Sequence, residues 1–197
     1  MSDDRKLQRQ YRSVPVTFVT RETDAGGPVI AAYFAVFNQE TELWRNCFEQ
    51  IAPGAFASSM GLDVRALIDH DTRLVLGRTT AGTLTLREDA TGLYGEIKIN
   101  EQDTDAMNLY ARVQRGDVSQ CSFGFDIKAE DYVESPDGQM CTWTIRDLVL
   151  YEVSIVTFPA YEATSAVARD RESMESLQTT RLERRKKELM ERIKNHA

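Results

Sequence analysis

The run Leu148 to Phe158, LVLYEVSIVTF, limits the folds open to this chain more than any other stretch: its eleven residues are apolar or small apart from one acid, Glu152. A short, continuous apolar run of this kind reads as a central strand covered on both faces. The chain must therefore build a sheet with material on either side of that strand. A carboxylate inside it is costly unless hydrogen-bonded, typically to a cation or to a ring N–H. Arg146 and Arg78 are the cations that would make Glu152 part of a structural ion pair.

Further β-type runs precede it: VPVTFV, VIAAYFAVF, VRALID, TLTLRED, GLYGEIKI and VSQCSFGFDIK, rich in Val, Ile, Thr and aromatics. With the strand around Glu152 they predict about seven strands, separated by turn chemistry at Asp24 to Pro28, Asp89 to Gly92 and Ser135 to Gly138. TDAMNLYARVQRG reads as a helix capped by Asp103 or Thr104 and stopped at Gly116, and PGAFASSM as a short helical turn. The fold class is mainly β with flanking α-helices, as an antiparallel β-barrel or sandwich with the helices packed outside. Beyond Pro159 the character changes. The stretch from Ala163 to Ala197 lacks Gly and Pro and spaces Leu182, Leu189 and Ile193 as a helix would, predicting a charged helical tail whose thin seam calls for a partner. The expected divisions are a lead at 1–13, a β domain at 14–164 and the tail at 165–197. The polar stretch YRSVPVTFVTRETDAGGP leaves an extra N-terminal strand and a disordered lead both open.

Charge excludes one class of function. The net charge of -7 argues against general phosphate-backbone binding, and the +4 carried by Arg181 to Ala197 leaves about -11 on the remainder. No apolar stretch reaches the length of a membrane span and none serves as a signal-peptide core, so a cytosolic protein is expected. Cys47, Cys121 and Cys141, odd in number and without metal-like spacing, are read as small hydrophobes with no disulfide framework.

The candidates for chemistry are few. As a strand, DVSQCSFGFDIK puts Cys121, Phe123, Phe125 and Ile127 on one face and Ser122, Gly124 and Asp126 on the other. Ser122 is expected to face outward, with Gly124 clearing the approach, though a plain strand serine beside a glycine bulge fits the same pattern. His70, the chain's one internal histidine, closes the strand pattern Val64, Ala66, Ile68. One ring nitrogen can hold a carboxylate while the other takes a proton from a hydroxyl, which would make His70 the general base for Ser122, with Glu152 holding its tautomer. Asp69, His70 and Asp71 are also metal-ligand types, but strand neighbours point to opposite faces and no second histidine is at hand. No phosphate-binding or dinucleotide fingerprint occurs, and no cofactor is implied.

The ordered motifs AAYFAVFN, EQIAPGAF, IDHDTRLVLGR, LREDATGLYGEIKI, RVQRGDVSQCSFGF and LYEVSIVTFPAY, spanning about Val29 to Thr164, resemble the prohead (capsid maturation) serine proteases of tailed bacteriophages, a family related in fold to the herpesvirus assemblins. The resemblance implies an assemblin-like β-barrel and a catalytic His70, Ser122 and Glu152. It also implies oxyanion donors in the backbone of Ala160 and Tyr161. Two supporting residues are read from the residues themselves: Gly124 from the strand pattern, and Arg78 from its charge, as a group that positions the loop or neutralises a nearby acid. A shifted register would put Asp147, Asp126 or Glu162 in the place of Glu152. The implied partners are the major capsid protein with its scaffold region, and the chain itself through self-cleavage or homo-oligomerisation. The implied location is the host cytoplasm, inside the assembling prohead. A non-catalytic assembly or scaffold-binding module is the alternative.

Overall fold

The computed structural model describes residues 5, 8–23 and 27–158; within them lie eleven strands, one α-helix and one 3-10 turn. The strands are β1 (Gln10–Pro15), β2 (Val19–Thr23), β3 (Gly27–Val36), β4 (Thr41–Trp44), β5 (Cys47–Ile51), β6 (Arg65–Ile68), β7 (Asp71–Arg78), β8 (Leu84–Glu88), β9 (Gly92–Lys98), β10 (Gln120–Glu134) and β11 (Cys141–Val156). The helix α1 spans Thr104–Arg115, and the 3-10 turn Ala57–Ser59 falls within PGAFASSM. The expected tail at 165–197 lies outside the described residues.

Strand β11 organises the larger sheet. Along one side it pairs antiparallel with β10; along the other it pairs parallel with β5 through Cys141 to Ile145 and with β6 through Glu152 to Ile155. Strands β1, β4 and β7 complete this seven-stranded sheet, while β2, β3, β9 and β8 form a second of four. The expectation of a mainly β chain therefore holds, but that of a closed barrel does not: among the described residues the strands make two separate sheets. The larger one curls until Arg12 of β1 meets Glu49 of β5, strands that share no backbone ladder, so an ion pair spans what a barrel would close with hydrogen bonds.

The larger of two buried clusters lies where the two sheets meet; the smaller gathers Cys47, Cys141 and Trp143. Ile30 and Phe34 of β3 and Leu93 and Ile97 of β9 join Phe123 and Phe125 of β10, Leu150, Val153 and Ile155 of β11, and Leu109, Tyr110 and Val113 of α1. Phe123 and Phe125 stack at 5.0 Å, with Phe56 edge-on to Phe123 at 5.7 Å. Helix α1 keeps the expected ends: the Asp103 side chain accepts from the N–H groups of Asp105 and Ala106, and Gly116 turns the chain at φ 81°.

One further expectation needs correction. Cys47 and Cys141 form a disulfide, because they fall directly opposite each other on the parallel pair β5 and β11, with Cα atoms 4.6 Å apart. A separation of 94 residues hides that register from the sequence. Cys121 is free and behaves as expected: burial pushes its thiol well above the ordinary range. Of the two readings left open for the N-terminal stretch, the extra strand is present: Gln10–Pro15 form β1, which pairs with β10 from Gln10↔Phe125 to Pro15↔Gln120.

What holds β1 is charge burial. Arg12 bonds Glu49 through Nε and Nη2, Arg5 reaches the same carboxylate, and all three side chains are buried. Burial pushes the Glu49 carboxyl up, but the Arg12 and Arg5 guanidiniums outweigh it and hold it below the ordinary carboxylate range. A group whose folded value is depressed stabilises above its unfolded value and ceases to do so as pH falls through the folded one. Glu49→Gln should therefore cost about 3–5 kcal/mol in urea unfolding at pH 7. The gap from wild type should narrow as pH drops below 4.5, the ordinary value for this carboxyl.

Candidate active site

The β6–β7 hairpin is closed by two residues, Asp69 and His70, because Ile68 pairs with Asp71. Both have positive φ, 48° and 59°, as a type I′ turn requires. This turn normally takes Asn-Gly; two residues with Cβ atoms here cost about 1–3 kcal/mol each and persist only where the surroundings hold them. Asp69 supplies that hold. Its N–H donates to the Ile155 carbonyl at 3.0 Å, and its carboxylate accepts from the Thr157 N–H at 2.7 Å and the Thr157 hydroxyl at 3.2 Å. Asp71 is occupied by Arg73. The three consecutive residues thus have three separate tasks, and His70 stands in a turn and not at a strand end.

From this turn the imidazole reaches over the sheet face turned away from the core. The registers Ser13↔Ser122↔Ser154 and Tyr11↔Gly124↔Glu152 set two rows of residues across β1, β10 and β11 on that face. The Glu152 carboxylate uses both oxygens: Oε1 lies 2.7 Å from His70 Nδ1, and Oε2 accepts from the Ser154 hydroxyl at 2.6 Å. Neither cation considered for Glu152 is its partner, since Arg78 pairs with Asp63 and Arg146 with Asp131. Arg78 lies opposite Arg65, at the end of the hairpin remote from the His70 turn. The substitute acids are also engaged elsewhere: Asp147 accepts from Ser58 and Asp126 from Tyr151. Glu162, Ala160 and Tyr161 lie outside the described residues.

Ser122 shares the expected face but is fully buried, contrary to the expected open approach. Strand β1 walls it on one side and Ser154 stands opposite on the other. Two polar atoms are left over: Ser122 Oγ and His70 Nε2 are buried, and neither has a hydrogen-bond partner among the described residues. Buried polar atoms without partners are uncommon and call for an explanation in function. The structure therefore joins His70 to Glu152 and brings Ser122 onto the same face, with no direct bond between hydroxyl and ring. Proton-transfer contacts in ligand-free sites are often loose in this way and tighten when substrate is bound.

Gly124 has a clear role. A Cβ there would come within 2.7 Å of Glu152 Oε1 and 3.0 Å of Tyr11 Cε1, so the bare backbone leaves room for the carboxylate and the phenol ring. The ladder also slips here, from Gly124↔Glu152 to Phe125↔Leu150, which leaves Tyr151 as an extra residue in a bulge beside the acid. Ser154 is a site residue that sequence reasoning passed over. Its place two residues from Glu152 on the same strand face was the available signal.

A model of the family described as Caudovirus prohead serine protease matches residues 16–179 of the chain. The prohead protease of Enterobacteria phage HK97 is 28% identical over 158 residues, which cover 78% of this chain and 64% of that protein. The chain thus spans less than two thirds of the length of this relative. No solved structure matches.

The crowding at Gly124 gives a direct check. Gly124→Ala should displace the Glu152 carboxylate, and the ring resonances of His70 should shift in NMR spectra while those of His196, the only other histidine, stay in place. The same substitution should lower stability by about 1–3 kcal/mol through overpacking.

Proposed function

Because the chain belongs to the Caudovirus prohead serine protease family, we propose that it is a serine endopeptidase acting inside the assembling phage capsid, with Ser122 as nucleophile, His70 as general base and Glu152 as the acid that orients it. The observation that carries the assignment is the 2.7 Å bond between His70 Nδ1 and Glu152, which leaves Nε2 as the free nitrogen on the face that holds Ser122. A carboxylate at Nδ1 fixes the tautomer with its proton there and stabilises the imidazolium when it forms.

In this reading Ser122 Oγ attacks the scissile carbonyl as its proton passes to His70 Nε2. The tetrahedral intermediate then collapses, and the leaving amine takes that proton, giving an acyl-enzyme on Ser122. Water, deprotonated by the same nitrogen, releases the acid product and restores the hydroxyl. Ser154 keeps the second carboxylate oxygen occupied, so that Glu152 presents only one to the ring. The backbone N–H groups of Ala160 and Tyr161 are our choice for the oxyanion. In the sequence they come three and four residues after Thr157, which Asp69 fixes to the His70 turn. Substrates in this reading are the scaffold region of the major capsid protein and the chain itself, with the basic tail as the docking segment and the stretch from Ala163 to Glu175 as the place to look for self-cleavage.

Co-expression of the full chain with the capsid protein of its own phage, read by intact mass, tests the assignment. Wild type should yield capsid and self-derived fragments and should be labelled at Ser122 by a fluorophosphonate. Ser122→Ala should lose both, with a rate at least about 10³-fold lower, while its melting temperature stays close to wild type. Fragments at the wild-type rate from Ser122→Ala would defeat the assignment. Full capsid maturation without cleavage by either protein would favour a binding module.

A further inference from the structure

We propose that Tyr11, carried by the N-terminal strand, is a positioning residue of the active site: its ring holds the His70 imidazole in line with Glu152. The inference rests on the catalytic reading above for its effect on rate, but its geometry stands independently of that reading. Tyr11 meets His70 edge-to-face, with ring centroids 4.7 Å apart and planes at 71°. It reaches this position through register, since Tyr11 lies opposite Gly124, which lies opposite Glu152. It also fits because Gly124 has no side chain; Tyr11 Cε1 lies 3.0 Å from where a Cβ would stand. Ring, carboxylate and imidazole therefore converge above one glycine.

A positioning group is needed here. His70 comes from a two-residue turn, and its one observed hydrogen bond, to Glu152, leaves the ring free to swing about that contact. A second contact on the ring restrains this motion, and edge-to-face aromatic pairs add stabilisation beyond the area they bury. Burial and the neighbouring Glu152 charge push the Tyr11 phenol above its ordinary value, in keeping with a neutral ring packed against a carboxylate. Strand β1 is itself fastened from its other face, where Arg12 is locked to Glu49, so the ring sits on a fixed support.

The test uses the full chain with Tyr11→Phe, Tyr11→Leu and Tyr11→Ala, measured by the rate of cleavage of a capsid-derived peptide, by fluorophosphonate labelling of Ser122, and by NMR of the two histidine rings. Removing the ring should lower kcat and the labelling rate about 10- to 100-fold with KM within about twofold, and should move the His70 ring-proton resonances while leaving those of His196 in place. Tyr11→Phe should restore both rate and resonances. Tyr11→Leu keeps apolar bulk, so it separates loss of the ring from loss of packing if Tyr11→Ala fails to fold. Wild-type rates in Tyr11→Leu, unmoved His70 resonances, or failure of Tyr11→Phe to restore them would each overturn the proposal. If wild type neither cleaves nor labels, the proteolytic reading falls, and the resonances still decide whether Tyr11 holds the ring.

Discussion

One buried carboxylate sets the terms for this fold. Glu152 lies in the strand that the rest of the larger sheet is built around, and it can stay there only because both of its oxygens are satisfied, by His70 and by Ser154. Each partner imposes a demand on the architecture. Ser154 needs only the alternation of a strand. His70 needs the parallel pairing of β6 with β11, which sets the hairpin turn beside the acid. Space for the carboxylate needs a glycine on the facing strand, and Gly124 provides it.

Two of the four non-glycine residues with positive φ among the described residues are adjacent and stand at the candidate site. Asp69 and His70 both adopt left-handed backbone, and the carboxylate of Asp69 holds the turn against the end of β11. Away from this turn the framework is conventional: an aromatic core of Phe34, Phe56, Phe123 and Phe125, a helix with ordinary caps, and hairpins. The buried cluster of Arg5, Arg12 and Glu49 is the exception, and its effect is to fix strand β1, which would otherwise be an edge tied only by its ladder. That strand carries Tyr11 and Ser13 over the face that Ser122 and Glu152 share.

The parts of this arrangement that were legible in the sequence are those that rest on periodicity and on local chemistry. The unbroken apolar run around Glu152 announced a buried central strand, alternation placed Ser122 and Gly124 together, and Asp103 and Gly116 marked the helix ends. What stayed hidden depends on register between distant strands. Cys47 and Cys141 look unrelated until β5 and β11 align. The polar sequence around Tyr11 leaves strand and lead both open because the buried ion pair that fastens the strand uses Glu49, 37 residues away from Arg12. The depth of Ser122 was hidden for the same reason, since alternation gives a face but not what covers it. Strand content left barrel and sandwich both open, because it is blind to whether edges meet.

The parallel junction between β6 and β11 has a temporal side. Residue 65 must find residue 152 before the imidazole and the acid can meet, so nearly ninety residues of intervening chain have to be made and folded first. Contacts between such distant segments form late and collectively. No nascent fragment that stops short of β11 can hold His70 against Glu152.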